Sequence, residues 1–134
     1  MSHPLKVLVV DDQPGVRYLL DILLKEAGHF VSMAKNGIEA IEKAKAINPD
    51  LILMDVRMPL MGGLEALEHI KAFNSRIKVV IMTAYESEET INRAMKAGAL
   101  YCITKPFDVD KIKLLLDDLD SGEAFMLKNC SCSY

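Results

Sequence analysis

The sequence is poor in the features that would place it in a membrane, outside the cell or on nucleic acid. No apolar run in its 134 residues approaches the roughly 20 residues needed to cross a bilayer. The opening Met1-Ser2-His3-Pro4-Leu5-Lys6 lacks the charged region and long apolar stretch of a signal peptide. Cysteine is scarce: there are three, two of which, Cys130 and Cys132, are clustered in the tail. That is too few for a disulfide framework and suits a reducing compartment. A cytoplasmic location is therefore expected. Positive charge is not in excess, since 16 Lys and Arg stand against 19 Asp and Glu for a net charge of −3. Nucleic acid and anionic membrane both demand a basic face, so neither is an expected partner. Histidine is sparse too. His3, His29 and His69 fall at the terminus, in a helix-strand turn and on a helix face, and all three read as structural or solvated.

What the chain does contain is apolar core. A hydrophobic content of 51% in this length suits one domain that needs neither disulfides nor metal staples, and leaves no room for a second. Its limits are read as residues 1–120, with 121–134 a flexible tail. The chain is organised around Leu53-Met54-Asp55-Val56-Arg57-Met58-Pro59, where an apolar run ends in a carboxylate. Residues 50–54 are too few for a helix and show no polar alternation, so they read as a strand buried on both sides, with Asp55 at its carboxyl end. Residues 5–10 form a second such strand and stop at Asp11-Asp12. Pro14 opens a helix carrying Val16, Leu19, Leu20, Leu23, Leu24 and Ala27 at helical spacing until Gly28. Residues 30–34 are a weaker strand; Asn36-Gly37 leads into a helix with Ile38, Ala40, Ile41, Ala44 and Ile47, closed by Asn48-Pro49. Further helices are expected from residue 64, over 86–97 with Ile91, Ala94 and Met95 inward, and after a cap at Asp108. Strands are expected over 77–82 and 100–103.

Five strands alternating with five helices predict right-handed βαβ crossovers with helices on both faces. The expected fold is α/β: a flavodoxin-like, doubly wound, five-stranded parallel sheet of order 2-1-3-4-5 with five helices. Its crevice lies at the carboxyl ends of the central strands. Asp11, Asp12, Asp55, Thr83 and Lys105 would line it. Three adjacent carboxylates repel unless one is protonated or a hard cation sits among them, and magnesium, with manganese as the alternative, suits an all-oxygen set. The carboxylate of Asp55 would then be placed to attack phosphorus in line, with Lys105 and Thr83 neutralising the transferred oxygens. Lys105-Pro106 is read as a cis peptide that aims the ammonium back over the sheet edge.

Four motifs, Val-Asp-Asp at 10–12, Met-Asp-Val-Arg-Met-Pro at 54–59, Met-Thr-Ala at 82–84 and Thr-Lys-Pro-Phe at 104–107, make the chain resemble the receiver domains of two-component response regulators over residues 5–119. Within that family, Asp-Asp-Gln-Pro-Gly-Val-Arg, Met-Thr-Ala-Tyr and Lys-Pro-Phe-Asp-Val-Asp are most similar to the single-domain sporulation phosphorelay type. The resemblance implies that Asp55 accepts a phosphoryl group from a phosphohistidine donor. Asp11, Asp12, Asp55 and the main-chain oxygen of Arg57 would hold magnesium, and Thr83 and Lys105 would contact the phosphoryl oxygens. The chain would catalyse its own phosphorylation and dephosphorylation rather than act as a turnover enzyme. Implied partners are a histidine kinase and a histidine phosphotransfer protein, docking on a rim of Gln13, Gly15, Val16, Leu19, Tyr85, Pro106 and Phe107.

Two positions depart from the family pattern. Cys102 stands where an aromatic residue or His is usual, and strand alternation turns its neighbour Tyr101 to the opposite face. Gly62 replaces a frequent Asp. Alternatives are a chemotaxis-like regulator acting by protein binding, and a magnesium-dependent aspartyl phosphatase, though the latter spaces its two acids by one residue whereas Asp11 and Asp12 are adjacent. With no output domain in the sequence, the signal would leave by protein contact. The chain is expected to be mainly monomeric, with weak self-association through Phe125, Met126 and Leu127.

Overall fold

Short apolar stretches without polar alternation become strands, and the amphipathic stretches between them become helices. The chain runs β1 (Lys6–Val10), α1 (Pro14–Glu26), β2 (Phe30–Ala34), α2 (Gly37–Ile47), β3 (Leu51–Asp55), α3 (Gly63–Phe73), β4 (Lys78–Thr83), α4 (Glu88–Lys96), β5 (Tyr101–Thr104) and α5 (Val109–Ser121). The computed structural model describes residues 4–84, 87–106 and 109–121. All neighbouring strands pair parallel, in the order β2-β1-β3-β4-β5, as the sequence predicts. No helix among the described residues is long and apolar enough to cross a membrane.

Strand alternation divides the core into two layers. Val7, Val9, Leu53 and Met82 face α1 and α5, where they meet Leu20, Leu24, Ile112 and Leu115. Leu8, Val10, Met54 and Ile81 face the other way, against Ala40, Ala66, Leu67 and Ile91. Tyr101 and Cys102 fall into opposite layers, as alternation requires. The hydroxyl of Tyr101 donates to Asp118 on α5 at 3.1 Å. His29 is structural: buried, its Nδ1 accepts the N–H of Leu5 at 3.0 Å.

Several expected core positions face solvent instead. In α2, the N–H of Gly37 donates to the Met61 carbonyl at 2.9 Å, and a Cβ at 37 would lie 2.7 Å from that oxygen. This approach sets the rotation of the helix, and with about 100° per residue it turns Ile38 outward. In α4 the small side chain of Ala94 packs inward, so the next residue, Met95, is exposed. In α1 the inward positions are Leu20 and Leu24, which leaves Leu19 and Ala27 exposed. Helix α4 begins at Glu88 rather than 86, because the side chain of Ser87 caps it by accepting the N–H of Thr90 at 3.1 Å. Helix α5 extends to Ser121, one residue beyond the expected limit. Tyr85, Glu86, Phe107, Asp108 and the tail from 122 to 134, with Cys130 and Cys132, lie outside the described residues.

Candidate functional site

The strand register carries the candidate residues to one level at the carboxyl edge of the sheet. Val10 pairs with Met54, so Asp11 and Asp55 leave neighbouring strands side by side. Asp55 pairs with Met82, and Thr83 with Thr104, so Thr83 and Lys105 emerge on the far side of Asp55. Main-chain bonds continue the sheet one rung past its strands: Asp11 donates to Ala34 at 3.2 Å, Val56 to Met82 at 3.2 Å and Lys105 to Thr83 at 2.8 Å. Each functional side chain therefore starts from a fixed backbone.

Asp11 is fully buried, with one oxygen 2.6 Å from the Lys105 ammonium and the other accepting the Gln13 N–H at 2.9 Å. Its carbonyl accepts from the Arg17 guanidinium at 2.6 Å. The same ammonium lies 3.3 Å from Asp55, whose second oxygen accepts the Val56 N–H at 2.9 Å. Asp12 stands exposed above them. Oxygens of Asp11, Asp12 and Asp55 lie within 4.8 Å of one another. One ammonium thus bridges two carboxylates with a third beside them. Burial pushes the Asp55 carboxyl above its ordinary value of 3.8; Lys105 pulls it down, and Asp11 adds to the rise. The surplus of negative oxygen, without His or Cys, fits a hard divalent cation such as magnesium. Above this floor opens a cleft of about 320 Å³ lined by Asp12, Gln13, Asp55, Arg57, Thr83, Ala84 and Lys105.

Local sequence explains the placement. Pro14 starts α1 one residue after the acids, behind the N-cap Gln13, where its missing N–H costs nothing. Lys105-Pro106 is cis, as expected from the need to turn the lysine back over the edge. Gly63 immediately precedes the helix expected from residue 64, and a Cβ there would lie 2.0 Å from the Asp55 carbonyl. Its N–H also donates to Val56 at 2.8 Å. The signal in the sequence was the Gly62-Gly63 pair following the acid, and close approach of a backbone is what such a pair permits. Arg17 and the N–H groups of Gln13 and Val56 were also missed. Main-chain donors carry no sequence signature, and Arg17 reads as an ordinary helix surface residue.

Asp11, Asp12, Asp55, Thr83, Arg57 and Lys105 are brought together. Of the expected docking rim, Gln13, Gly15, Leu19 and Pro106 are exposed, and Val16 is half-buried against the core. Tyr85 and Phe107 lie outside the described residues.

A family profile described as response regulator receiver domain matches residues 7–117. Transcriptional regulatory protein ZraR of Klebsiella oxytoca is 46% identical over 112 residues, 84% of this chain. The chain spans only 25% of that relative's length. Sporulation initiation phosphotransferase F of Bacillus subtilis (strain 168) is 40% identical over 108 residues, covering 81% of this chain and 87% of that protein. Among solved structures, chemotaxis protein CheY4 of Vibrio cholerae matches with a TM-score of 0.81 at 30% identity, over 86% of this chain and 98% of that one.

Proposed function

The chain belongs to the response regulator receiver family, and from that premise we propose that Asp55 accepts a phosphoryl group from a phosphohistidine on a partner protein. The observation that carries this reading is the Lys105 ammonium held between Asp11 and Asp55 at the floor of an open cleft. An Asp55 oxygen forms a bond to phosphorus as the bond from phosphorus to the donor imidazole breaks. The electron pair of that bond stays on the ring nitrogen, which takes a proton from solvent, and Asp55 becomes an acyl phosphate. Lys105 keeps Asp11 and moves from Asp55 to the incoming oxygens, a task its flexible stem and point charge suit. The Thr83 hydroxyl donates to a second phosphoryl oxygen.

Asp11, Asp12, Asp55 and the main-chain oxygen of Arg57 are the proposed magnesium ligands, with manganese as a substitute. The cation would neutralise both the carboxylates and the transferred oxygens. The donor is a histidine kinase or a histidine phosphotransfer protein, docking on Gln13, Gly15, Val16, Leu19, Tyr85, Pro106 and Phe107. The likeness to a sporulation initiation phosphotransferase supports a relay, in which phosphate passes on to another histidine.

The reading is tested by incubation with acetyl phosphate and magnesium, then with a phosphorylated histidine phosphotransfer protein. Stoichiometric label on Asp55 supports it; rapid phosphate release with no labelled protein accumulating favours an aspartyl phosphatase, and neither label nor release overturns it. Asp12→Ala should raise the magnesium needed for labelling roughly tenfold or more, read by titration.

A further inference from the structure

One side chain reaches the acidic floor from outside the set assigned to it. Arg17 on α1 is half-buried, and its guanidinium donates to the Asp11 carbonyl at 2.6 Å. With that bond every polar atom of Asp11 has its own partner. Its N–H donates to Ala34, its two carboxylate oxygens meet the Gln13 N–H and the Lys105 ammonium, and its carbonyl meets Arg17. Asp12 is the opposite case: it is exposed, and it draws no hydrogen bond or ion pair from the described residues. The peptide bond is planar, so the Asp11 carbonyl and the N and Cα atoms of Asp12 move as one unit. Whatever holds that oxygen therefore fixes where the Asp12 side chain begins.

The position of Arg17 is electrostatically unfavourable in itself. Its own N–H donates to the Gln13 carbonyl at 3.2 Å as the first rung of α1. The backbone dipole disfavours a positive charge at that end of a helix, and the first turn carries no acid to offset it. What offsets the cost is the bond to Asp11. We propose that Arg17 is a positioning residue: it clamps the Asp11–Asp12 peptide and so holds the Asp12 carboxylate over the floor, where it completes a cation site with Asp11 and Asp55. The charge of Arg17 alone would repel a metal ion, so positioning and repulsion predict opposite signs for its removal. The consequence for magnesium rests on the function proposed above, whereas the clamp itself does not.

Arg17→Met keeps an apolar stem and removes the guanidinium, and NMR of the full chain with and without the substitution tests the clamp in the absence of any phosphoryl donor. Without metal, the Asp12 N–H order parameter should fall from about 0.85, the value of rigid backbone, to below about 0.6. On titration with magnesium chloride, binding should be roughly tenfold weaker than in the unaltered chain. Arg17→Gln, whose amide ends short of the guanidinium tip, carries the same predictions and serves where Arg17→Met does not fold. Lys71→Ala, which loses its bonds to the Ser75 and Ile77 carbonyls beside the amino end of β4, should lower stability yet leave both readings in place. An unmoved Asp12 order parameter overturns the clamp, as does unchanged or tighter magnesium binding, the result of lost repulsion alone. A chain that takes up no magnesium even with Arg17 present overturns the metal site proposed above instead, and the order parameter still decides the clamp.

Discussion

The two edges of the sheet are built from the same strands and treat polar groups in opposite ways. At the amino edge, donors are matched by acceptor oxygens. Lys6 donates its N–H to Asp50 at 2.8 Å and its ammonium to the Ile47 carbonyl at 2.9 Å. Asn74 donates to Asn48 at 2.8 Å, and Lys71 to the carbonyls of Ile77 and Ser75 at 2.6 and 3.1 Å. Tyr101 opens β5 and ties it to Asp118. At the carboxyl edge, Asp11 and Asp55 share the Lys105 ammonium with the Asp12 carboxylate close by, and burial lifts the Asp55 carboxyl above its ordinary value. One edge sews loops together; the other stores unbalanced negative charge of the kind a divalent cation relieves. A fold tolerates that imbalance when the opposite edge and two packed layers hold the backbone in place.

Substituting Asp55 should separate the edges most sharply. Asp55→Asn should abolish phosphoryl uptake while raising stability by about 1 kcal/mol at neutral pH, as relief of functional-site strain commonly does. Because the folded value is raised, the folded chain retains a proton that the unfolded chain has already released, so stability falls as pH rises from 3.8 through the raised value. The advantage of Asn should thus be full above that window and shrink as pH falls through it, read from urea midpoints of both chains. An advantage of Asn no larger at neutral pH than at pH 3 would remove the claim of stored imbalance.

Gly63→Ala should cost roughly 3 kcal/mol, the upper end of overpacking, since the new methyl meets Asp55 backbone rather than a side chain that can yield. Its urea midpoint checks this, and a near-neutral result would show that the edge is less rigid than described. At the other edge, Lys71→Ala leaves two carbonyls without their donor and should cost about 1–2 kcal/mol, with phosphorylation unchanged. The smallest effect is expected from Tyr101→Phe, about 1 kcal/mol for one hydrogen bond. Burial and the Asp118 carboxylate push the Tyr101 hydroxyl up to about 12. The folded chain therefore holds that proton where the unfolded chain loses it, and stability present below pH 10 is lost as pH rises to about 12. That alkaline decline should be reduced in Tyr101→Phe, as read by denaturation at pH 9 and 11.5.

The five residues at the carboxyl edge were legible because strand ends in a parallel sheet converge, and because acids that interrupt apolar runs are conspicuous. Strand order followed from the alternation of elements and the chirality of their connections. Helix faces were less legible. Ile38, Met95 and Leu19 fit an apolar period, yet each lies outside: the Met61 loop sets the rotation at Ile38, and the inward Ala94 and Leu20 set it at their neighbours Met95 and Leu19. Periodicity specifies a stripe about 100° wide but not which of its borders meets the sheet.

The sequence by itself determined that this is an α/β receiver domain with Asp11, Asp12, Asp55, Thr83 and Lys105 at one edge, since short-range pattern and motif spacing suffice for both. Only the tertiary structure decided that Lys105 bridges Asp11 and Asp55, that Asp11 is buried while Asp12 is exposed, that Gly63 must lack a side chain, and that α1 presents Tyr18, Leu19 and Ile22 to solvent. Those features depend on distances between residues far apart in the chain. Such distances are set by how helices and loops pack over the sheet, which no local pattern encodes.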